Sequence, residues 1–294
     1  MILVTGGTGF VGTKVVHALR AEERDVRVLA RRPERHEQAR AWGCELVPGD
    51  MTDRESLVRA VAGCETVVHL VALPPFSDPQ AIERVMIRGT RDLVAAAREA
   101  GVGRFVLMSA LGASEETVGV APYYAAKIEM ERAVRESGIP FVAYRPSFVF
   151  GREGGQLPQQ LLLARLSPVT PVLSRHRMQP IWVEDVAQFF ARAVAAGEAG
   201  NATYDLAGPD RITWAVLHAR IRAILGKRRA TFVVPPALLK AGAALGQALP
   251  PFRGLPDAIR MLDHGDNVGD PGPANERFGV EPIGVDEQIR RAVA

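Results

Sequence analysis

The sequence predicts an α/β fold: a doubly wound parallel sheet carrying a smaller C-terminal lobe. Three observations predict it. Short apolar runs alternate with amphipathic helical patterns through the first 150 residues. The chain opens on MILVTGGTGFVG, an apolar run that passes directly into Gly6, Gly9 and Gly12. After Gly151 the alternation gives way to a stretch broken by Gly154, Gly155, Pro158, Pro168, Pro171 and Pro180.

The elements follow in order. Strands are read at 2–5, 26–30, 45–48, 66–71, 104–108 and 141–145, each short and apolar, as a parallel sheet covered on both faces requires. Helices are read between them at 11–22, 34–42, 53–62, 80–100 and 121–137. Such alternation builds right-handed βαβ units. Gly101 and Gly103 stop the fourth helix, and Gly138 and Pro140 stop the fifth. Beyond 150 come a Leu-rich piece at 161–166, a short strand at 180–183, a helix at 184–196, a strand at 203–207, a helix at 213–225 capped by Thr213, a strand at 230–234 and a helical tail. Residues 263–275, rich in Gly, Asp and Pro, read as an exposed turn region. Residues 1–150 are therefore expected to form a nucleotide-binding domain. Residues 151–294 form mostly a lobe for substrate or partner, with 181–208 returning to the sheet.

Composition narrows the function. With 47% hydrophobic residues over 294, the chain has material for a substantial core. Its net charge is only +3, aromatics are 6%, and the basic clusters Arg31-Arg32 and Lys227-Arg228-Arg229 are short, so no nucleic-acid stripe is expected. Cys44 and Cys64 form no CxxC pair and no His/Cys ligand spacing, so no metal site is expected; both read as small buried apolar residues near strand starts. The segment Phe232 to Phe252 contains Lys240 and is broken by prolines, so it lacks the ~18–20 uninterrupted apolar residues of a spanning helix. It reads as a core helix or as a docking surface. The first strand begins at residue 2, so no leader is read ahead of it, and the two cysteines suit a reducing, cytoplasmic compartment.

The opening motif carries chemistry. One glycine permits a sharp turn, one lets the backbone approach a pyrophosphate, and one lets the helix pack close to the strand, while the helix N-terminus offers unpaired N–H groups to the phosphates. The same residues also suit a plain strand–helix turn. The second strand ends in Arg31 and Arg32, with no carboxylate to receive a ribose hydroxyl. Planar, permanently charged guanidinium suits a 2′-phosphate, hence NADP rather than NAD; the other reading is two solvated arginines. After the third strand, Asp50 is placed to accept from an adenine amino group with Met51 against the ring, while Thr52 or Asp53 suits a helix N-cap. Tyr123 and Lys127 stand four residues apart on the helix after the fifth strand, and so share one face. A lysine beside a phenol is expected to lower the phenol pKa and ready it for proton transfer next to a hydride transfer. His69 reads as a satisfied core residue, His176 as available to a ligand, and Asp185 as a cap or ion-pair partner of the helix it opens.

These pieces together resemble the short-chain dehydrogenase/reductase superfamily, of extended length. The matching residues are Thr5 to Gly12, Gly49-Asp50, Tyr123 with Lys127, Arg145 to Gly151, Ile181 to Ala187 and Tyr204 to Pro209, in order over residues 1 to about 210. Ser109 to Ala113 is most similar to an atypical branch that includes the NADPH-binding accessory subunit of respiratory complex I and its bacterial relatives. The resemblance implies a Rossmann fold and an NAD(P)-binding set of Gly6, Thr8, Gly9, Phe10, Val11, Gly12, Arg31, Arg32, Asp50, Met51, Ala72, Tyr123, Lys127, Pro146 and Phe148. It implies catalytic roles for Tyr123 and Lys127, with Ser109 assisting. Two positions depart from active extended relatives. Ala110 stands where a substrate-steadying Ser or Thr is usual, leaving Ser109 one residue early, and Met86 stands where many keep Asn.

The leading reading is an NADP-binding oxidoreductase moving hydride to or from a carbonyl or alcohol carbon of a small molecule. One alternative is an epimerase or dehydratase of nucleotide sugars, with Arg152, Arg165, Arg175 and Arg177 available for a diphosphate. Another is a non-catalytic NADPH-holding scaffold or assembly subunit that docks through 232–252. Pairing as a homodimer through helices 80–100 and 121–137, or binding of a peripheral protein partner, is what superfamily membership implies.

Overall fold

In the computed structural model, β1 (Ile2–Thr5) is an interior strand of a sheet whose other strands are β2 (Val26–Ala30), β3 (Glu45–Pro48), β4 (Thr66–His69), β5 (Arg104–Met108), β6 (Phe141–Pro146) and a later strand, Ala202–Leu206. Described are residues 1–166, 169–172, 174–196, 200–227, 230–233, 238, 241 and 255–294. Across the sheet the order runs from Ala202–Leu206 through β6, β5, β4, β1 and β2 to β3, and every pairing is parallel. Seven parallel strands with helices on both faces make a doubly wound Rossmann-like fold. The order reverses at β1, so the crevice for a ligand lies at the carboxyl ends of β1 and β4. Thr5 and His69, the last residues of those strands, are in register there.

Two apolar layers sandwich the sheet. On one face α1 (Phe10–Ala21) and the helix Val183–Ala195 cover Val4, Val28, Val106 and Val142. Phe189 and Phe190 on that second helix are fully buried, each stabilising the layer by roughly 2–3 kcal/mol. On the other face Arg54–Val61, Gly89–Glu99 and Pro122–Glu136 cover Leu3, Leu29, Val67, Leu107 and Ala143. A separate core in the C-terminal half joins Phe150, Leu157, Leu161, Trp182, Leu217 and Ile289. Within the stretch 181–208, Ala202–Leu206 pairs with β6 along its whole length and Val183–Ala195 covers the sheet, whereas Ile181–Trp182 pairs with Val149–Phe150 in a separate two-stranded sheet.

Several expectations are refined. The helix expected at 80–100 is a short α-turn, Pro79–Ile82, a π-helical stretch, Glu83–Arg88, and an α-helix from Gly89. A Cβ at Gly89 would come within 2.7 Å of the Met51 carbonyl oxygen, so the helix lies hard against the turn after β3. Within the π stretch Met86 is fully buried, and its sulfur stands 3.4 Å from the Leu73 N–H as acceptor. The helix expected at 34–42 is a 3-10 turn, Pro33–Arg35, followed by Glu37–Ala41. Asp53 is the cap of the third helix, accepting from the Glu55 and Ser56 N–H groups. Among the described residues the Asp185 carboxylate does not cap its own helix: it accepts from the Ile283 N–H at 2.9 Å and ties down the C-terminal segment. The region 263–275 is not a free turn. Residues 265–270 form a strap across the carboxyl ends of β5 and β6. Its Asn267 Nδ2 donates to the Leu111 carbonyl at 3.0 Å, and the Ser147 hydroxyl donates to Asn267 Oδ1 at 2.7 Å. These bonds join residues more than a hundred positions apart, a relation that local composition does not encode.

Candidate active site

The turn between β1 and α1 separates its glycines by task. Gly6 has φ +75°, a left-handed conformation that favours glycine, and an added Cβ would strike the Val71 nitrogen at 2.9 Å. Gly12 lies under the turn: a Cβ there would collide with the Gly6 carbonyl oxygen and stand 2.7 Å from Gly7 Cα. Gly9 is different. It is exposed, has ordinary extended backbone (φ −84°, ψ 179°), and its Cβ would meet only Gly6 O, at 3.3 Å. Packing does not demand a glycine at Gly9, so the cradle it leaves open beside exposed Thr8 fits a bound pyrophosphate. Val11 follows in the first helical turn. The Phe10 ring points away toward the lobe, where a Cβ at Gly151 would lie 2.7 Å from it, so Phe10 staples the turn to that loop.

Beyond β2, Arg31 and Arg32 are exposed, and among the described residues neither guanidinium has a hydrogen bond or ion pair. Two unneutralised guanidiniums at the carboxyl end of β2 have the charge and geometry that could hold an anion. Asp50 folds back, its Oδ1 accepting from the Thr52 N–H at 2.8 Å and the Thr52 hydroxyl at 2.7 Å. Met51 is buried and packs on Gly89, so its side chain is a core group. Ala72 is exposed at the crevice just past β4. Beneath the crevice His69 is fully buried between the Thr5 hydroxyl at 2.6 Å and the Thr90 hydroxyl at 2.9 Å, and Thr90 in turn donates to the Met86 carbonyl. Burial lowers its pKa to about 3, so it is a neutral structural spacer.

Lys127 and Tyr123 lie on the helix Pro122–Glu136 as their spacing requires. Lys127 is fully buried, and its Nζ donates to the Met108 carbonyl at 2.8 Å while standing 5.7 Å from the centre of the Tyr123 ring. Desolvation pulls the ammonium pKa down to about 7, against the raising influence of Glu131. The expected lowering of the Tyr123 pKa is not what the geometry produces. Desolvation raises it above the ordinary phenol value, with Tyr124 adding to the effect, so Tyr123 remains a phenol at neutral pH. Glu131, one turn beyond Lys127, is held by a bidentate bond from Arg145 at 2.8 and 2.6 Å. Ser109, which follows β5, is buried, and its hydroxyl has no hydrogen-bond partner. Pro146 ends β6 and accepts from the Leu111 N–H at 2.9 Å. Phe148 stacks edge-on against Trp214, ring centres 5.4 Å apart.

Next to this set opens a cavity of about 520 Å³. Its walls include Gly112, Thr117 and Tyr124 from the sheet side, Phe148 and Trp214 from the lobe, and His176, Arg177 and Asn267 around the strap. Arg177 is neutralised by Asp266 at 2.6 Å, and His176 Nε2 lies 3.1 Å from the Asp263 carbonyl. Asn267, Tyr124 and His218 escaped the sequence reading. The first belongs to a segment placed only by long-range contacts. For His218 a signal was present, because Trp214, Leu217 and Ile221 set the inner face of its helix, Trp214–Ile224.

Of the four arginines set aside for a diphosphate, Arg177 is engaged as described, and Arg152 donates to the Arg291 carbonyl at 3.0 Å. No group of ligands that would hold a metal is found among the described residues, and none of their helices is long and apolar enough to cross a membrane. The segment 232–252 and the cluster at 227–229 fall largely outside the described residues.

Comparison with known proteins agrees with this fold. The profile of the NAD(P)H-binding family matches residues 6–196. Ceramide reductase of Caulobacter vibrioides is 32% identical over 83% of this chain and 76% of its own length. Mouse NADH dehydrogenase [ubiquinone] 1 alpha subcomplex subunit 9 is 27% identical over 95% of this chain and 76% of its own. The crystal structure of the Escherichia coli NADPH-dependent quinone oxidoreductase QOR2 with NADPH superposes with a TM-score of 0.80 over the whole of both chains at 21% identity, which establishes the shared fold. The chain therefore belongs to the NAD(P)H-binding family of atypical short-chain dehydrogenases/reductases, whose relatives include various NAD(P)H-dependent reductases.

Proposed function

We propose that the protein is an NADPH-dependent reductase of small, largely apolar carbonyl compounds. The observation that carries this reading is the pairing of a protonated Tyr123 with Lys127, anchored on Met108, beside an apolar cavity at the carboxyl end of the sheet. Arg31 and Arg32 would hold a 2′-phosphate, the turn at Gly6–Gly12 the pyrophosphate, Asp50 the adenine, with Ala72, Pro146 and Phe148 toward the other end. When bound, NADPH supplies the hydride that reduces a carbonyl carbon. Tyr123 gives its phenolic proton to the carbonyl oxygen, so that an alcohol leaves. A phenol held above its ordinary pKa suits donation, and hence the reductive direction, better than it suits service as a base. Lys127 keeps the ribose hydroxyls and Tyr123 in place. Ser109, an orphaned hydroxyl one residue early, assists by hydrogen bonding to the substrate oxygen.

The pairing of Arg177 with Asp266 favours this reading over the nucleotide-sugar one, because it leaves that cavity-lining guanidinium already neutralised. The Ala110 and Met86 departures make turnover slow or selective, since orienting hydrogen bonds are fewer. We further place the protein in the cytoplasm, a compartment that two free buried cysteines suit, and pair it as a homodimer across Gly89–Glu99 and Pro122–Glu136. Single-turnover oxidation of NADPH against a panel of aliphatic and aromatic ketones and aldehydes tests the reading. Turnover that Tyr123→Phe abolishes without weakening NADPH binding supports it. Tight NADPH retention with no turnover across the panel replaces it by the scaffold reading.

A further inference from the structure

The helix Trp214–Ile224 turns Trp214, Leu217, His218 and Ile221 inward. Trp214 and His218, one turn apart and therefore on one face, both line the cavity. Around them the wall mixes hydrocarbon with polar groups, several of them already engaged. Phe148 and Leu163 supply hydrocarbon. The Thr117 hydroxyl bonds the Gly112 carbonyl, Ser174 bonds the Leu262 carbonyl, and Arg177 is spent on Asp266. Among the described lining residues His218 alone has a fully buried side-chain nitrogen or oxygen without a partner. It is 2% exposed, and its Nδ1 has no hydrogen-bond partner. Burial and the neighbouring Arg222 guanidinium hold its ring neutral, with a pKa of about 4. A buried polar atom without a partner is costly to keep, and native proteins leave few of them.

We propose that His218 is a specificity-determining residue of the cavity, taking a hydrogen bond from or giving one to a neutral hydroxyl or carbonyl oxygen on an otherwise apolar substrate. The proposal rests on the carbonyl-reductase reading and adds a substrate class to it. The substrate carries a second oxygen, remote from the carbonyl that Tyr123 serves, and no carboxylate or phosphate at that end. An uncharged imidazole does not balance an anion, and Arg177 on the same wall is already paired. A site built to bond an oxygen also rejects the analogue that lacks it more strongly than a hydrocarbon pocket rejects an added methylene.

Binding of 4-(4-hydroxyphenyl)butan-2-one, 4-phenylbutan-2-one and 4-(4-carboxyphenyl)butan-2-one to the NADP⁺-saturated protein, followed by calorimetry, tests this without relying on turnover. The hydroxylated ketone should bind at least fivefold more tightly than either of the others. His218→Phe should erase that preference, and His218→Gln, which keeps one donor and one acceptor, should restore part of it. The NADP⁺ affinity of both variants should equal that of the parent. Equal affinities in the parent, no measurable binding of any of the three, preference for the carboxylate, or a preference that survives His218→Phe overturns the proposal. A retained hydroxyl preference with no reduction of any of these ketones by NADPH overturns the reductase reading instead and leaves this contact standing.

Discussion

Gly9→Val and Gly12→Ala separate a glycine kept for a ligand from a glycine kept for the fold. At Gly12 the added Cβ meets backbone, the Gly6 carbonyl and Gly7 Cα, which no rotamer change relieves. Overpacking of this kind costs about 3 kcal/mol. At about 2–4 °C per kcal/mol for a chain of this size, Gly12→Ala should lower Tm by roughly 6–12 °C. At Gly9 the backbone is already in a region that valine favours, and the sole neighbour is Gly6 O at 3.3 Å. The loss of a good helix-capping glycine, partly offset by a stiffer unfolded chain, leaves a net change within about 1 kcal/mol, or a few degrees. Affinity should behave oppositely. Two charge-assisted hydrogen bonds to the pyrophosphate, each worth about 1.5 kcal/mol, disappear when the isopropyl group fills the cradle, a loss of about a hundredfold in Kd. Thermal unfolding by circular dichroism without cofactor, paired with NADPH titration by calorimetry, reads both quantities. A Gly9→Val protein that melts as early as Gly12→Ala, or that binds NADPH like the parent, refutes the assignment.

Arg31→Ala with Arg32→Ala should cost about tenfold in NADPH affinity while sparing NADH, since a 2′-phosphate is the group those free guanidiniums would meet; equal parent affinities for the two cofactors would end the NADP claim. Tyr123→Phe should lower kcat by about 10²–10⁴ with an unchanged NADPH Kd, because only the proton donor is lost. Lys127, whose pKa falls from 10.5 to about 7 on folding, binds fewer protons in the native than in the unfolded chain between those values. Stability therefore rises with pH across that window and is penalised most below pH 7. The stability of the parent minus that of Lys127→Met, measured by urea unfolding at pH 7, 8 and 9, should climb by up to about 1.4 kcal/mol per pH unit, and a flat difference contradicts the buried ammonium. Asn267→Ala should raise KM severalfold and lower Tm by a few degrees, since it frees the strap from Leu111 and Ser147; an unchanged KM would separate the strap from the substrate.

Periodicity determined the local elements of this protein. Apolar runs of four to six residues, bounded by turn signals, marked β1, β2 and β4 to β6 because a strand buried on both faces must be apolar throughout, whereas β3 lies half-exposed at the sheet edge. The glycines of the first turn marked the passage from strand to helix, since strand, turn and helix are contiguous there. Tyr123 and Lys127 were visible for the same reason: four residues on one helix fix a shared face. Tertiary structure alone decided the rest. The place of Asn267 depends on bonds to Leu111 and Ser147, each more than a hundred residues away, and a Gly- and Asp-rich segment reads identically whether it is free or strapped down. The protonation of the tyrosine–lysine pair was also beyond the reach of spacing. Spacing sets proximity, whereas the pKa values follow from desolvation, which burial beneath the sheet, the Met108 carbonyl and the Glu131–Arg145 pair control together. The orphaned Nδ1 of His218 belongs to the same class, because whether a polar atom lacks a partner is a property of everything folded around it.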